Sequence, residues 1–418
     1  MNNQDCTRRD FMKKAGTGAV ATAGASMMYP DISKAVEELE PMKITKIDAV
    51  TFKNAYWTWM RLHTDKGLIG YGETYPRTNS ELGAMKDMAN LIIGKDPRQI
   101  ERVWRDNYAR SSFSVTGGAE MRVLSATNCA QLDIVGQALG VPMYQLLGGK
   151  AQDSLRIYST YFKDLRINGM VFKDNVEKVT RFLLDKGVKA IKIYPYDDVA
   201  RKNNYNYMSA VETVECLDWV KRIRDTAGLE MEICIDTMCK LNLPMSLRAA
   251  KSLEPYDILF LEDFIHPDNP QAYKVLANET SIPLCHSERL ATRYQFREML
   301  EEEAVDIVMY DLTWVGGPTE AKKISDMADT YYVPTSPHTA GGPLLYLSSI
   351  QTAASLTNMF IMESSYKRWA EDYPKYIEDC PVPINGAVTP PDTPGLGVKP
   401  VMANFTNGEA TVHEIASL

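Results

Sequence analysis

Six polar residues punctuate the second half of this chain at nearly equal steps. Asp236, Glu262, Glu288, Asp311, His338 and Glu363 lie 26, 26, 23, 27 and 25 residues apart. Each ends or follows a short apolar run, as Glu262 does in "ILFLEDF". With two earlier runs, the candidate strands are 155–161, 190–194, 231–236, 258–262, 282–288, 306–310, 333–337 and 359–363. Any one short apolar run is ambiguous, but a regular set alternating with helical patterns implies parallel strands joined by crossovers. Eight such units over roughly 235 residues match a (β/α) barrel better than an open sheet. Equal steps then put the polar side chains at one height on the C-terminal rim, where barrel enzymes keep their chemistry. Lys192 falls near the end of the second candidate strand. The 44-residue step from Lys192 to Asp236 carries "YPYDDVARKNNYNYMS", a tyrosine-rich insertion placed to line or cover that rim.

The first part of the chain has a different texture. "KITKIDAVTF" and "WTWMRLHTDKGLIGYGET" read as a small antiparallel sheet with a turn at 65–67. Helical stretches follow at 81–94, 98–109 and 118–140, the last stopped by Gly140 and Pro142. The organisation predicted is a signal and linker over 1–40, an α+β unit over 41–150, a barrel over 151–390 and a C-terminal segment over 391–418.

Before residue 40, "TRRDFMKKAGTGAVATAGASMM" sets Arg8 and Arg9 ahead of a mildly apolar run, the pattern of a twin-arginine export signal, which predicts a periplasmic protein. Of the seven cysteines, Cys6 lies in that signal. The other six show no tight spacing, and Cys234 and Cys239 lack a zinc-type pattern, so free thiols and no zinc are expected. A net charge of −8 argues against nucleic acid as a partner. No apolar run reaches the ~18 residues of a membrane span.

Three acids on adjacent strands, Asp236, Glu262 and Glu288, repel one another in a dry site unless something neutralises them. Any one alone reads as a loop acid. Three at matched steps read as an all-oxygen site for a hard divalent cation, Mg²⁺ with Mn²⁺ as the alternative. Asp263, next to Glu262, faces away by strand alternation and reads as a supporting partner. Opposite, Asp311 one βα unit before His338 forms a dyad in which the carboxylate fixes the tautomer and raises the basicity of the imidazole. Lys192 is the cation across the site, with Tyr194 two residues on and on the same face. His286 reads as structural packing.

These residues resemble the enolase superfamily, specifically its mandelate racemase and muconate lactonizing branch. The likeness rests on the ordered set Lys192, Asp236, Glu262, Glu288, Asp311, His338, Glu363 and on the strings "DKGLIGYGE", "QLDIVGQALGVPMYQLLGG", "FLEDF", "IPLCHSERLATR", "DIVMYDLTWVGGPTEAKKISDMA", "VPTSPHTAGGP" and "PGLGV". It implies a (β/α)7β barrel with an N-terminal α+β capping domain, a C-terminal segment returning to the cap, and a homo-oligomer. It also implies that cap loops near 54–59 and 110–117 choose the substrate, with Tyr56 and Trp57 walling the pocket and Arg110 meeting a distal oxygen. Lys192-Ile193-Tyr194 departs from the lysine pair of many relatives, Met238 stands where relatives often carry Asn or His, and Glu262-Asp263-Phe264 departs from the usual pattern.

The expected chemistry is abstraction of the proton α to the carboxylate of a small sugar acid by His338. The metal and Lys192 stabilise the resulting charge, Tyr194 acts on the other face, and Glu363, protonated or not, hydrogen-bonds the carboxylate. With tyrosine in place of a second lysine, β-elimination of water to a 2-keto-3-deoxy acid is favoured over racemisation. A cycloisomerase is the runner-up. A periplasmic sugar-acid binding protein that has lost catalysis is the reading from another class.

Overall fold

The apolar runs become the staves of a barrel in the computed structural model, which describes residues 40–77, 79–110 and 117–418, without the side chain of Arg110. The twin-arginine stretch lies outside the described residues. Strands β1 (Ile44–Phe52), β2 (Thr58–Thr64) and β3 (Ile69–Thr74) form an antiparallel sheet. Its far edge is the C-terminal strand Ala410–Ser417, paired with β1, so the chain ends beside its first strand. The turn between β2 and β3 places Gly67 at φ 78°, where a side chain would be strained.

Helix Gly118–Leu139 packs on β3 and carries an unbroken run of buried residues from Val123 to Gly136. The approach is closer than a Cβ permits: one added at Gly72 would meet the Ala126 carbonyl oxygen at 2.0 Å. The helix ends at Gly140 in the left-handed conformation, as the sequence predicts.

The barrel strands are β4 (Leu155–Tyr161), β5 (Ala190–Ile193), β6 (Glu232–Asp236), β7 (Phe260–Glu262), β8 (Leu284–His286), β9 (Ile307–Asp311), β10 (Thr335–His338) and β11 (Met362–Ser364). All eight expected strands form, in parallel and in chain order from β4 to β10, with β11 on the other side of β4. The ring closes where Thr335 donates to Asn358 O and accepts from Phe360 N, both at 2.9 Å. A helix follows each of the first seven strands, and a π-helical turn, Arg368–Asp372, follows the eighth. The fold is therefore a (β/α)7β barrel beside a cap sheet. The insertion after β5 folds into short helices, Asp197–Lys202 and Ala210–Cys216, the second opened by a Ser209–Glu212 capping box.

Several strands are shorter than their apolar runs, Phe260–Glu262 and Met362–Ser364 by two residues and Leu284–His286 by four. The parallel ladder stops where the backbone turns away, as at Ser287 with φ 95°. Tyr194 and Glu288 consequently sit just past their strands. Inside the barrel, Tyr158, Ala190, Cys234, Phe260, Cys285, Ile307, Met309 and Ile361 pack into one cluster beneath the rim. Burying such side chains contributes roughly 1.5–3 kcal/mol for each large one. Two cysteines are thus packing residues, and all six described cysteines are free. No helix among the described residues is long and apolar enough to cross a membrane.

Candidate active site

Strand register brings the rim residues to one level. Thr160 pairs with Lys192, Asp236 with Glu262, and Asp311 with His338. Lys192, Asp236, Glu262, Glu288, Asp311, His338 and Glu363 are all buried. The Lys192 ammonium is bonded to Glu262 Oε1 and lies 3.2 Å from Glu363 Oε1 and 3.4 Å from Asp236 Oδ2. Burial alone would lower its pKa, but Glu262 and Glu363 outweigh that and hold it well above its ordinary value. Burial and repulsion from neighbouring carboxylates raise Glu262 and Asp236 as well, above the usual carboxylate range, against the pull of Lys192.

On the far side, Asp311 Oδ2 accepts from His338 Nδ1 at 2.7 Å, while Thr313 N and Oγ1 hold Oδ1 at 2.7 and 2.5 Å. This fixes the tautomer and leaves Nε2 facing the carboxylates, 2.9 Å from Glu288 and 3.3 Å from Glu363. Burial opposes the imidazolium, yet Glu288, Glu363 and Asp311 raise its pKa well above the ordinary range. The Trp314 indole lies against the ring, centroids 5.4 Å apart. Glu363 accepts from Thr160 Oγ1 and from Thr339 N, at 2.5 and 2.9 Å. Burial would raise its pKa, but Lys192, His338 and these donors hold it down at about 2. The protonated form allowed for Glu363 is therefore disfavoured in this arrangement.

Five carboxylates thus crowd two cationic side chains, with Arg289 reaching Glu288 from the rim at 3.6 Å. Among the described residues, no three acidic, histidine or cysteine side chains converge closely enough to grip an ion as they stand. Glu288 is instead turned to His338. The chemistry of the donors nevertheless fits a hard dication: all are oxygens, negative charge is in surplus, and the buried Glu262 Oε2 has no hydrogen-bond partner. Asp236, Glu262 and Glu288 are the residues that would hold it.

A cavity of about 370 Å³ opens above this cluster, lined by Asp236, Glu288, His338, Glu363, Tyr194 and Trp314 among others. Tyr194 is buried and stacks on Phe162 at 4.4 Å. Burial raises its pKa well above 10 despite Lys192 nearby, so its phenol stays protonated and can give a proton on the other face but not take one. Tyr56 and Trp57 do not wall this cavity. They line an adjoining one, because Trp57 is drawn into edge contacts with Tyr373 and Tyr376. Arg110 ends a helix, but its side chain and residues 111–116 lie outside the described residues. Asp263, at φ 43°, accepts from Ser287 N at 3.2 Å and meets Arg289 at 3.5 Å, bracing the loops that carry the acids. His286 packs on Tyr273, is bonded to Ala304 O, and burial lowers its pKa to about 4.

Sequence reasoning missed Thr160, Trp314, Arg368 and Glu73. Thr160 and Trp314 occupy rim positions but do not titrate. Arg368 reaches the cavity from the π-helical turn. Glu73 closes "GYGE" at the end of β3, and its buried carboxylate accepts from Gly342 N and Leu344 N at 2.5 and 3.1 Å. A Cβ at Gly342 would meet that carboxylate at 2.5 Å, so glycine is what admits it.

Residues 174–404 match the enolase C-terminal domain-like family, and residues 32–148 match the mandelate racemase / muconate lactonizing enzyme N-terminal domain. The chain belongs to the mandelate racemase/muconate lactonizing branch of the enolase superfamily. Within this branch it is 32% identical over 367 residues to a D-galactonate dehydratase from Variovorax paradoxus, covering 86% of this chain and 92% of the relative. It is 29% identical over 388 residues to a D-xylonate dehydratase from Haloferax volcanii, covering 90% and 91%. A mandelate racemase subgroup enolase from Agrobacterium tumefaciens superposes with a TM-score of 0.81 at 30% identity, over 90% of this chain and 100% of that one. An enolase superfamily member from Salmonella Typhimurium gives 0.83 at 26%, over 90% and 100%.

Proposed function

We propose that this protein is a sugar-acid dehydratase, a hydro-lyase converting a 2,3-dihydroxy acid to a 2-keto-3-deoxy acid. The observation that carries the reading is the buried His338–Asp311 dyad, with Nε2 aimed at the carboxylate cluster beside Lys192. Relatives named D-galactonate and D-xylonate dehydratase over most of the chain support it. Aldonic acids of five or six carbons are the substrates to try first.

Mg²⁺, with Mn²⁺ as a substitute, would supply Lewis-acid charge at the substrate carboxylate when held by Asp236, Glu262 and Glu288. Lys192 adds a fixed positive charge where the acid becomes an enediolate. Glu363, ionised and fixed by Thr160 and Thr339, holds Lys192 in place and orients the substrate's polar groups. Once Glu288 no longer holds the ring charged, neutral His338 Nε2 takes the C2 proton, with Asp311 stabilising the imidazolium that forms. The same imidazolium then protonates the departing 3-hydroxyl: the C3–O bond breaks, water leaves, and the enol becomes the 2-keto acid. A tyrosine kept protonated at 194 gives no partner base for 1,1-proton transfer, which favours elimination over racemisation.

The test is incubation with Mg²⁺ and a panel of aldonates in D₂O, followed by NMR. A 2-keto-3-deoxy product that disappears with His338→Asn supports the scheme; undiminished turnover by that variant removes His338 from it. We also read Arg8-Arg9 as directing export by the twin-arginine route. Replacing both with lysine should retain the protein in the cytoplasmic fraction of a bacterial host, and unchanged fractionation would defeat that reading.

A further inference from the structure

The chamber over the carboxylates does not stand alone. A second cavity, of about 660 Å³, adjoins it. Tyr75, Thr160, Phe162, Ala340 and Arg368 line both. The inner one already lies within the range of small-molecule pockets, roughly 300–1,000 Å³. An aldonic acid placed with its reacting carbons at His338 therefore leaves the larger outer space unfilled.

The lining of the outer cavity says what suits it. Its charges are largely matched to one another: Lys367 and Lys375 bind Asp372 at 2.5 and 2.9 Å. Glu409 accepts from Asn54 N and Nδ2 at 3.3 and 3.4 Å. Arg368 Nη1 is taken up by the Thr339 and Gly341 carbonyls, at 2.9 and 3.4 Å. What remains is aromatic surface with hydroxyls and the oxygen ends of the Asn54 and Asn404 amides, whose Nδ2 atoms serve Glu409 and the Lys375 carbonyl. Tyr56 is 76% exposed and Phe162 40%, large rings facing open space beside Trp57 and Tyr376. Exposed rings together with amide groups suit a neutral pyranose, whose C–H face packs on an aromatic and whose hydroxyls need paired donors and acceptors. A second carboxylate would instead call for an unpaired cation.

We infer that the outer cavity is a glycosyl subsite, and that the substrate class is a 4-O-glycosyl aldonic acid: a disaccharide oxidised at its reducing end. This rests on the dehydration reading for the reacting end. The chemistry is compatible: the C2–H and C3–O bonds break, water leaves, and the substituent on O4 stays in place, reaching from the inner chamber into the outer.

Calorimetry on the full chain carrying His338→Asn, with Mg²⁺ present, compares cellobionate, lactobionate and maltobionate with gluconate and galactarate. At least one glycosyl acid should bind about tenfold or more tightly than gluconate, a gain of about 1.4 kcal/mol. Tyr56→Ala should remove most of that advantage. Glycosyl acids no tighter than gluconate, or galactarate tightest of all, would overturn the subsite. Product NMR on the unmodified protein separates the two readings. A keto product from gluconate or galactonate with weak glycosyl binding sinks the subsite and keeps the dehydratase. Tight glycosyl binding without any keto product keeps the subsite and sinks the dehydratase.

Discussion

The two halves of the rim are equally buried but differently held. On the Lys192 side, one ammonium answers Glu262, Glu363 and Asp236, and Glu262 Oε2 has no partner. On the His338 side, orientation is over-determined: Asp311 fixes the ring, Thr313 fixes Asp311, and Trp314 lies against it. The first half is a charge balance that an incoming ion can change. The second is a geometry set before anything binds, which is what a proton-transfer group needs.

That contrast breaks most visibly at Lys192. Lys192→Met removes a stabilising charge aimed at the developing enediolate, and kcat should fall by about 10²–10³. The same change removes the cation that competes for the acids, so Mg²⁺ should bind more tightly in calorimetry. Asp311→Asn should lower kcat by about 10–100-fold, as loss of a group that orients a catalytic histidine does, and leave Mg²⁺ affinity where it was. If Asp311→Asn alters metal affinity as much as Lys192→Met, the halves are one network and the contrast is wrong. Thr160→Val lies between them. It frees Glu363 Oε1 from one donor while Lys192 and Thr339 still hold the carboxylate, and a loss near tenfold in kcat/KM is expected.

The difference between the halves also governs what was legible in the sequence. Titratable residues at equal steps betray themselves, because each βα unit repeats the same length. Hence the spacing alone puts Asp236, Glu262, Glu288, Asp311, His338 and Glu363 at one rim. Strand ends were less visible, since a parallel ladder stops where the loop turns, not where apolar residues cease. Trp57's place in the adjoining cavity is not legible, because nothing in its neighbourhood reveals that Tyr373 and Tyr376, more than 300 positions later, enclose it. Thr160 and Trp314 orient charged groups without being charged. Glu73 lies inside the string "GYGE", but its partner is the backbone at the start of a distant helix, and backbone donors carry no sequence signal.

Glu73 supplies the smallest effect, and the one that tests whether the cap helps set the His338 side. Its carboxylate leaves β3 to meet Gly342, the N-cap of helix Pro343–Ala354 and four residues past His338. Burial raises its pKa to about 8, offset only in part by the Gly342 and Leu344 N–H groups, with Asp311 adding to the rise. The folded protein therefore holds this proton where the unfolded chain, near 4.5, has lost it. The contribution is fully present below the unfolded value and is lost as pH climbs through about 8. Asp263, raised by burial to about 7, and Asp133, raised by burial to about 6, act with the same sign, so alkaline pH should lower the melting temperature of the whole protein. Glu73→Gln isolates one share of that slope, because the amide keeps an oxygen for one backbone N–H and cannot ionise. Measured from pH 6 to 9, its melting temperature should start at or below that of the unchanged protein and gain on it by about 2 °C or more. Parallel curves would mean that Glu73 does not titrate in this range, and that the cap grips the His338 loop through a permanently charged carboxylate.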